Sequence, residues 1–130
     1  MATHQTRILS IEDDPEMRGL LQLILERKGH HVIGVQRGEL GLELLKSLKP
    51  DVLLLDLMLP DIDGWEIYRQ MKADDELVHV PVIIISARDE QRDAKAGHHV
   101  IGDDRYLKKP FEIDDLVSTV YDVIEKHPVS

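Results

Sequence analysis

The chain contains no cysteine, which excludes disulfides and thiolate-bound zinc and fits a reducing compartment. Aromatics are scarce, with one tryptophan, three tyrosines and one phenylalanine, so a core has to be built from aliphatic side chains. No apolar run approaches the roughly 18 residues that a membrane span needs. The opening stretch MATHQTR has no apolar segment of the signal-peptide kind, so none is expected. Basic residues are outnumbered, 16 against 25 acidic, for a net charge of −9. That balance argues against direct contact with nucleic-acid phosphate or an anionic membrane and favours a basic partner or a bound cation. Linkers, repeats and low-complexity tracts are missing as well. The 130 residues fit a single domain over 1–130, with a core from about 7 to 126. A soluble cytoplasmic protein is the expectation.

What is present is alternation. Five short strand-like runs stand out: RILSI (7–11), HVIGV (31–35), VLLLD (52–56), VIII (82–85) and RYLKK (105–109). Between them, apolar residues recur at helical spacing. Met17, Leu20, Leu21 and Ile24 do so within 15–28, and Leu40, Leu44 and Leu48 within 38–48. Ile67 and Met71 follow within 64–73, then Ile113, Leu116, Val117, Val120 and Ile124 within 112–126. A fourth helix, over about 89–101, is poor in large apolar residues and carries Gly97 inside it. It is expected to stop at Gly102 and to be the most mobile helix.

Strand and helix alternating five times imply a parallel sheet covered by helices on both faces. VLLLD and VIII are apolar without interruption, as central strands buried on both sides should be, whereas HVIGV and RYLKK suit the edges. Right-handed crossovers then predict a doubly wound, flavodoxin-like (βα)5 sandwich with strand order 2-1-3-4-5.

In such a sheet all strands end at one edge, where ligands bind. Glu12, Asp13 and Asp14 follow the first run, Asp56 ends the third, Ser86 follows the fourth, and Lys108 and Lys109 close the fifth. Clustered acids repel one another unless a cation neutralises them. Hard oxygen donors without histidine or cysteine suit Mg²⁺, which takes one or two carboxylates and keeps waters. A lysine is a compact charge for a phosphoryl oxygen. Together, acids, hydroxyl and lysine describe phosphoryl transfer onto an aspartate.

Four segments carry a family resemblance: SIEDDPEMR, LLLDLMLPDIDGW, IIISA and YLKKPF, in that order. They resemble the four signatures of the response-regulator receiver domain of two-component systems, from about Arg7 to Lys126. The resemblance implies that Asp56 accepts a phosphoryl group from the phosphohistidine of a sensor histidine kinase or phosphotransfer protein. It implies that Asp13, Asp56 and the Met58 backbone carbonyl bind Mg²⁺ directly, with Glu12 acting through water. Ser86 would hydrogen-bond the phosphoryl group, Lys109 would pair with it, and Tyr106 would be a rotating switch residue. Pro110 matches the proline after that lysine, often reached through a cis bond. The output would run through the face of helix four, strand five and helix five, to a target protein or an output domain, with a phosphorylation-dependent homodimer as an option. Three departures stand out: Glu12 for the commoner aspartate, Ser86 for threonine, and one extra residue around HHVIGDDRY.

Other residues have plainer readings. Asp63 with Glu66 fits a capping box at the next helix, Asp61 a solvated turn, and Asp14 an N-cap before Pro15. Ser86 could simply cap its turn, and Tyr106 could be a resting strand aromatic. Lys108 reads as a surface residue. The pairs His30–His31 and His98–His99 read as solvated side chains. Two rival functions remain on the residues alone. A haloacid-dehalogenase-type phosphohydrolase would need a second acid two residues after the nucleophile, where this chain has Met58. A phosphate-independent interaction module with the same fold would be marked by failure to bind Mg²⁺.

Overall fold

The protein is described by a computed structural model covering residues 5–126; residues 1–4, the start of the MATHQTR stretch, and 127–130 lie outside the described residues. The strands are β1 (Arg7–Ile11), β2 (His31–Val35), β3 (Val52–Leu55), β4 (Val82–Ser86) and β5 (Arg105–Lys108). The helices are α1 (Pro15–Arg27), α2 (Gly38–Leu48), α3 (Gly64–Lys72), α4 (Glu90–Lys95) and α5 (Ile113–Lys126). The strands pair in parallel in the order β2-β1-β3-β4-β5, as the alternation predicts.

The central strands explain the order. Every residue of β3 and β4 is buried, because helices cover both faces. On one side Leu9, Ile11, Leu53, Leu55 and Ile84 pack against Leu45, Trp65, Ile67 and Met71. On the other, Ile8, Leu54, Ile83 and Ile85 pack against Leu21, Leu25, Leu116 and Val120. Each such aliphatic side chain contributes about 1.5–3 kcal/mol by leaving water, so a shift in strand register would cost far more than any single cap or ion pair.

Four helical details differ from the sequence reading. Helix α4 has six residues rather than about thirteen; Ala96 closes it and Gly97, at φ +92°, turns the chain away. Leu20, Leu40 and Ile113 are exposed although the periodicity put them in the core stripe. In α2 the inward positions are Gly38, Gly41 and Leu45, because a Cβ on Gly41 would stand 2.3 Å from the Cδ1 of Ile11. The Glu66 carboxylate bonds Arg69 and Gln70 on its own helix, so the capping box at α3 is a cap by Asp63 alone.

Candidate functional site

Register puts the acids side by side. Ile11 is paired with Leu55, so Glu12 and Asp56 leave neighbouring strands at the same level. The ladder continues past the strand ends: the Asp56 N–H donates to the Ile11 carbonyl at 3.0 Å, and the Lys109 N–H to the Ser86 carbonyl at 2.9 Å. Backbone pairing therefore carries Glu12, Asp56, Ser86 and Lys109 to one edge.

Asp56 is 7% exposed and Glu12 2%. Buried carboxylates need partners. The Lys109 ammonium supplies one, donating to Glu12 Oε1 at 2.7 Å and to Asp56 Oδ2 at 3.2 Å. The remaining oxygens accept backbone donors: Met58 N–H at 3.1 Å from Asp56 Oδ1, and Asp14 N–H at 3.1 Å from Glu12 Oε2. Two acids share one cation, so the cluster is short of positive charge. Burial pushes the Glu12 carboxyl up to about 7, with Lys109 opposing the shift and Asp56 adding to it. Burial works against the charged Lys109, yet its two carboxylate partners raise its pKa above the ordinary value.

Gly64 controls the approach of α3 to this edge. A Cβ there would lie 2.5 Å from the Leu57 Cα and 2.6 Å from the Asp56 carbonyl oxygen, so only glycine lets the helix start against the backbone just after Asp56.

Asp13 is exposed. It faces a cleft of about 500 Å³ lined also by Met58, Asp61, Asp63 and Arg88. Among the described residues no three acidic or histidine side chains converge as a metal cage. The donors fit Mg²⁺ all the same, since that ion keeps several waters and takes one or two carboxylates. A cation here would also relieve the charge deficit at Glu12 and Asp56.

Ser86 is fully buried and its Oγ accepts the Arg88 N–H at 3.3 Å. It thus caps its turn, and its hydroxyl also hydrogen-bonds the Tyr106 side chain. The Tyr106 hydroxyl donates to the Arg88 carbonyl at 3.0 Å, and its ring lies 6.4 Å from that of Trp65. Lys108 is exposed, and the Lys109–Pro110 bond is cis. Asp14 caps α1 through the Glu16 N–H at 3.0 Å.

Asp61 is exposed at a bend, as the turn reading has it, but it also has a structural partner. Its two oxygens accept the Gly38 N–H at 2.8 Å and the Glu39 N–H at 2.9 Å, capping α2 from 23 positions away. Desolvation works against the charge, but these backbone donors hold its carboxyl below the usual range. His98 is exposed yet stacks on Trp65 at 5.8 Å. Arg88 escaped the sequence reading entirely. It pairs with Asp63 at 3.0 Å and Asp93 at 3.2 Å, and its place two residues past Ser86, on the loop leaving β4, was the available signal.

Residues 8–121 match the family model described as the response regulator receiver domain. The chain is 42% identical over 105 residues to the transcriptional regulatory protein AfsQ1 of Streptomyces coelicolor, covering 81% of this chain and 45% of that protein. It is 35% identical to protein PilH of Pseudomonas aeruginosa, covering 91% of this chain and 97% of that one. The chain thus spans about half the length of the matched transcriptional regulators and nearly all of PilH. In structure it is similar to the receiver domain of the sensor histidine kinase PA1611 of Pseudomonas aeruginosa, described with a magnesium ion in the active-site cleft. That similarity has TM-score 0.83 at 26% identity, over 94% of this chain and 99% of that one. A signal receiver domain of a histidine kinase from Syntrophus aciditrophicus superposes with TM-score 0.87 at 26% identity, covering 96% of this chain and 94% of that one.

Proposed function

The chain belongs to the response regulator receiver family, and from that premise we propose that it is a phosphorylation-activated switch with Asp56 as the acceptor. The observation that carries the reading is the Asp56 carboxylate: buried at a strand exit, beside a second acid, and held by Lys109 at 3.2 Å.

An Asp56 oxygen attacks the phosphorus of a phosphohistidine in line. An O–P bond forms as the P–N bond breaks, and the imidazole leaves with a proton from solvent. The Met58 N–H and Lys109 orient the carboxylate from opposite oxygens. Lys109 also meets the charge that gathers on the phosphoryl oxygens. Glu12, Asp13, Asp56 and the Met58 carbonyl would hold Mg²⁺, which when bound supplies a hard positive charge to the phosphoryl group. Ser86 donates its hydroxyl proton to the phosphoryl group once this is in place. Its loop moves with it, and Tyr106, bonded to that loop through the Arg88 carbonyl, follows. The face of α4, β5 and α5 then presents a different surface to a target protein or an attached output domain. Phosphate shifts this equilibrium only as far as it binds the active form better than the resting one. Water later hydrolyses the acyl phosphate, partly with the domain's own help.

The donor is a sensor histidine kinase or a phosphotransfer protein, and a phosphorylation-dependent homodimer is one form the output can take. No helix among the described residues is long and apolar enough to cross a membrane; a cytoplasmic site of action is part of the proposal, since the phosphohistidine donor would be met there.

The test is intact mass after incubation with acetyl phosphate and Mg²⁺. One added phosphate is expected on the wild type, with none on Asp56→Asn and none in EDTA. A phosphate retained by Asp56→Asn would move the acceptor elsewhere. No addition to the folded wild type from either acetyl phosphate or a phosphohistidine donor would overturn the reading.

A further inference from the structure

Four contacts from different parts of the chain end on Arg88. Its guanidinium donates to Asp63 Oδ2 at 3.0 Å and to Asp93 Oδ1 at 3.2 Å. Its N–H donates to Ser86 Oγ at 3.3 Å, and its carbonyl accepts the Tyr106 hydroxyl at 3.0 Å. Asp93 is 8% exposed, and its second oxygen accepts the Trp65 indole N–H at 3.0 Å. The second oxygen of Asp63 accepts the Trp65 backbone N–H at 2.8 Å. Arg88, Asp93, Trp65 and Asp63 thus close a ring of charged and polar bonds that ties α4 to the start of α3.

Little else holds α4. Helices α1, α3 and α5 each bury at least three large apolar side chains, whereas Asp93 is the one buried residue of α4. Apolar burial is non-directional and tolerates small shifts, but an ion pair at 3.2 Å is lost by a displacement of about an ångström. Beside the ring, between α3 and residues 97–101, lies a cavity of about 720 Å³ lined by Trp65, Tyr68, His98 and Ile101. The segment that follows α4 therefore borders open space on its α3 side.

We infer that the Arg88–Asp93–Trp65 ring is a latch that holds α4 in its resting position and opens when a phosphoryl group on Asp56 draws Ser86 inward. Arg88 is two residues from Ser86 and bonded to it, so the same loop movement withdraws the guanidinium from Asp93. The inference rests on the phosphorylation of Asp56 proposed above. A contact made only in the resting form lowers the population of the active one. Weakening it therefore tightens the binding of anything that prefers the active form.

The test is calorimetric titration of beryllofluoride, a stand-in for the phosphoryl group, in Mg²⁺. Asp93→Asn keeps the side-chain shape and an oxygen for Trp65 but removes the ion pair with Arg88. It is expected to bind beryllofluoride roughly 3- to 10-fold more tightly than the wild type, the range set by losing one partly exposed contact from one state of a two-state equilibrium. Trp65→Phe deletes the indole N–H and should move affinity the same way. The double variant should gain less than the product of the two singles, because both cut one ring. A role in stability alone would lower the melting temperature and leave affinity unchanged. Unchanged or weaker binding by folded Asp93→Asn, with the wild type binding normally, overturns the latch and spares the Asp56 reading. Absence of binding by the folded wild type overturns both. If Asp93→Asn does not fold, Trp65→Phe decides by the same criterion.

Discussion

Glu12 and Lys109 stand 97 positions apart in the chain and meet at 2.7 Å, at the ends of two strands that are not neighbours in the sheet. The lysine reaches past β4 and β3 to do so, and holds Asp56 on the way. This one ammonium keeps two buried carboxylates from facing each other unneutralised.

Lys109→Ala should therefore destabilise the metal-free protein by about 3 kcal/mol, the usual cost of stranding a buried charge. Mg²⁺ should restore more of the lost melting temperature in the variant than it adds to the wild type, since it would meet a larger charge deficit. Thermal melts of both proteins with and without Mg²⁺ check this. Equal shifts would mean that Lys109 and the cation do not serve the same acids.

At Gly64 the expectation is steric. A methyl group would meet the Leu57 Cα at 2.5 Å and the Asp56 carbonyl oxygen at 2.6 Å, both backbone atoms that cannot turn aside. Gly64→Ala should cost about 2–3 kcal/mol and slow phosphorylation by acetyl phosphate, because relief requires moving the chain next to Asp56. Urea denaturation measures the first effect and mass spectrometry the second.

Asp61→Ala should lose about 1 kcal/mol, the ordinary value of an N-cap, because the N–H groups of Gly38 and Glu39 at the start of α2 lose their acceptor. Asp61→Asn keeps an acceptor and should retain part of the stability. An unaltered stability for Asp61→Ala would return this residue to the solvated-turn reading.

Away from the site, Asp104 is buried and accepts the Val82 N–H at 2.8 Å and the Tyr68 hydroxyl at 2.6 Å, while Lys72 stands 2.8 Å away. Burial first, then Asp104, raises the Tyr68 pKa above its ordinary value of 10.0. The folded protein thus keeps a proton that the unfolded chain releases near pH 10. Its contribution is fully present below that pH and is lost as pH rises above it. Stability should fall above about pH 10 with a component that Tyr68→Phe removes. The substitution also costs about 1–3 kcal/mol at neutral pH, by leaving Asp104 and the Ile101 N–H short of a partner. Identical alkaline slopes in the two proteins would contradict this assignment.

The sequence by itself determined the strands, their parallel order and the edge at which Glu12, Asp56, Ser86 and Lys109 emerge. Uninterrupted apolar runs such as LLL at 53–55 have one low-energy solution, and a residue directly after a strand must emerge at the sheet edge. It also identified the caps made by Asp14 and Asp63, since a cap acts on its own helix within three residues. Tertiary structure decided whatever depends on distant partners. Asp61 reads as a turn residue alone until α2 is seen to begin above it. Hydrophobic periodicity put Leu40 in the core stripe of α2, where it is exposed, because periodicity cannot register that Gly41 faces inward to make space for Ile11. The length of α4 could not be read from propensity either. Without an apolar stripe, its position is set by Arg88, Asp93 and Trp65, and those three residues lie together only after the chain has folded.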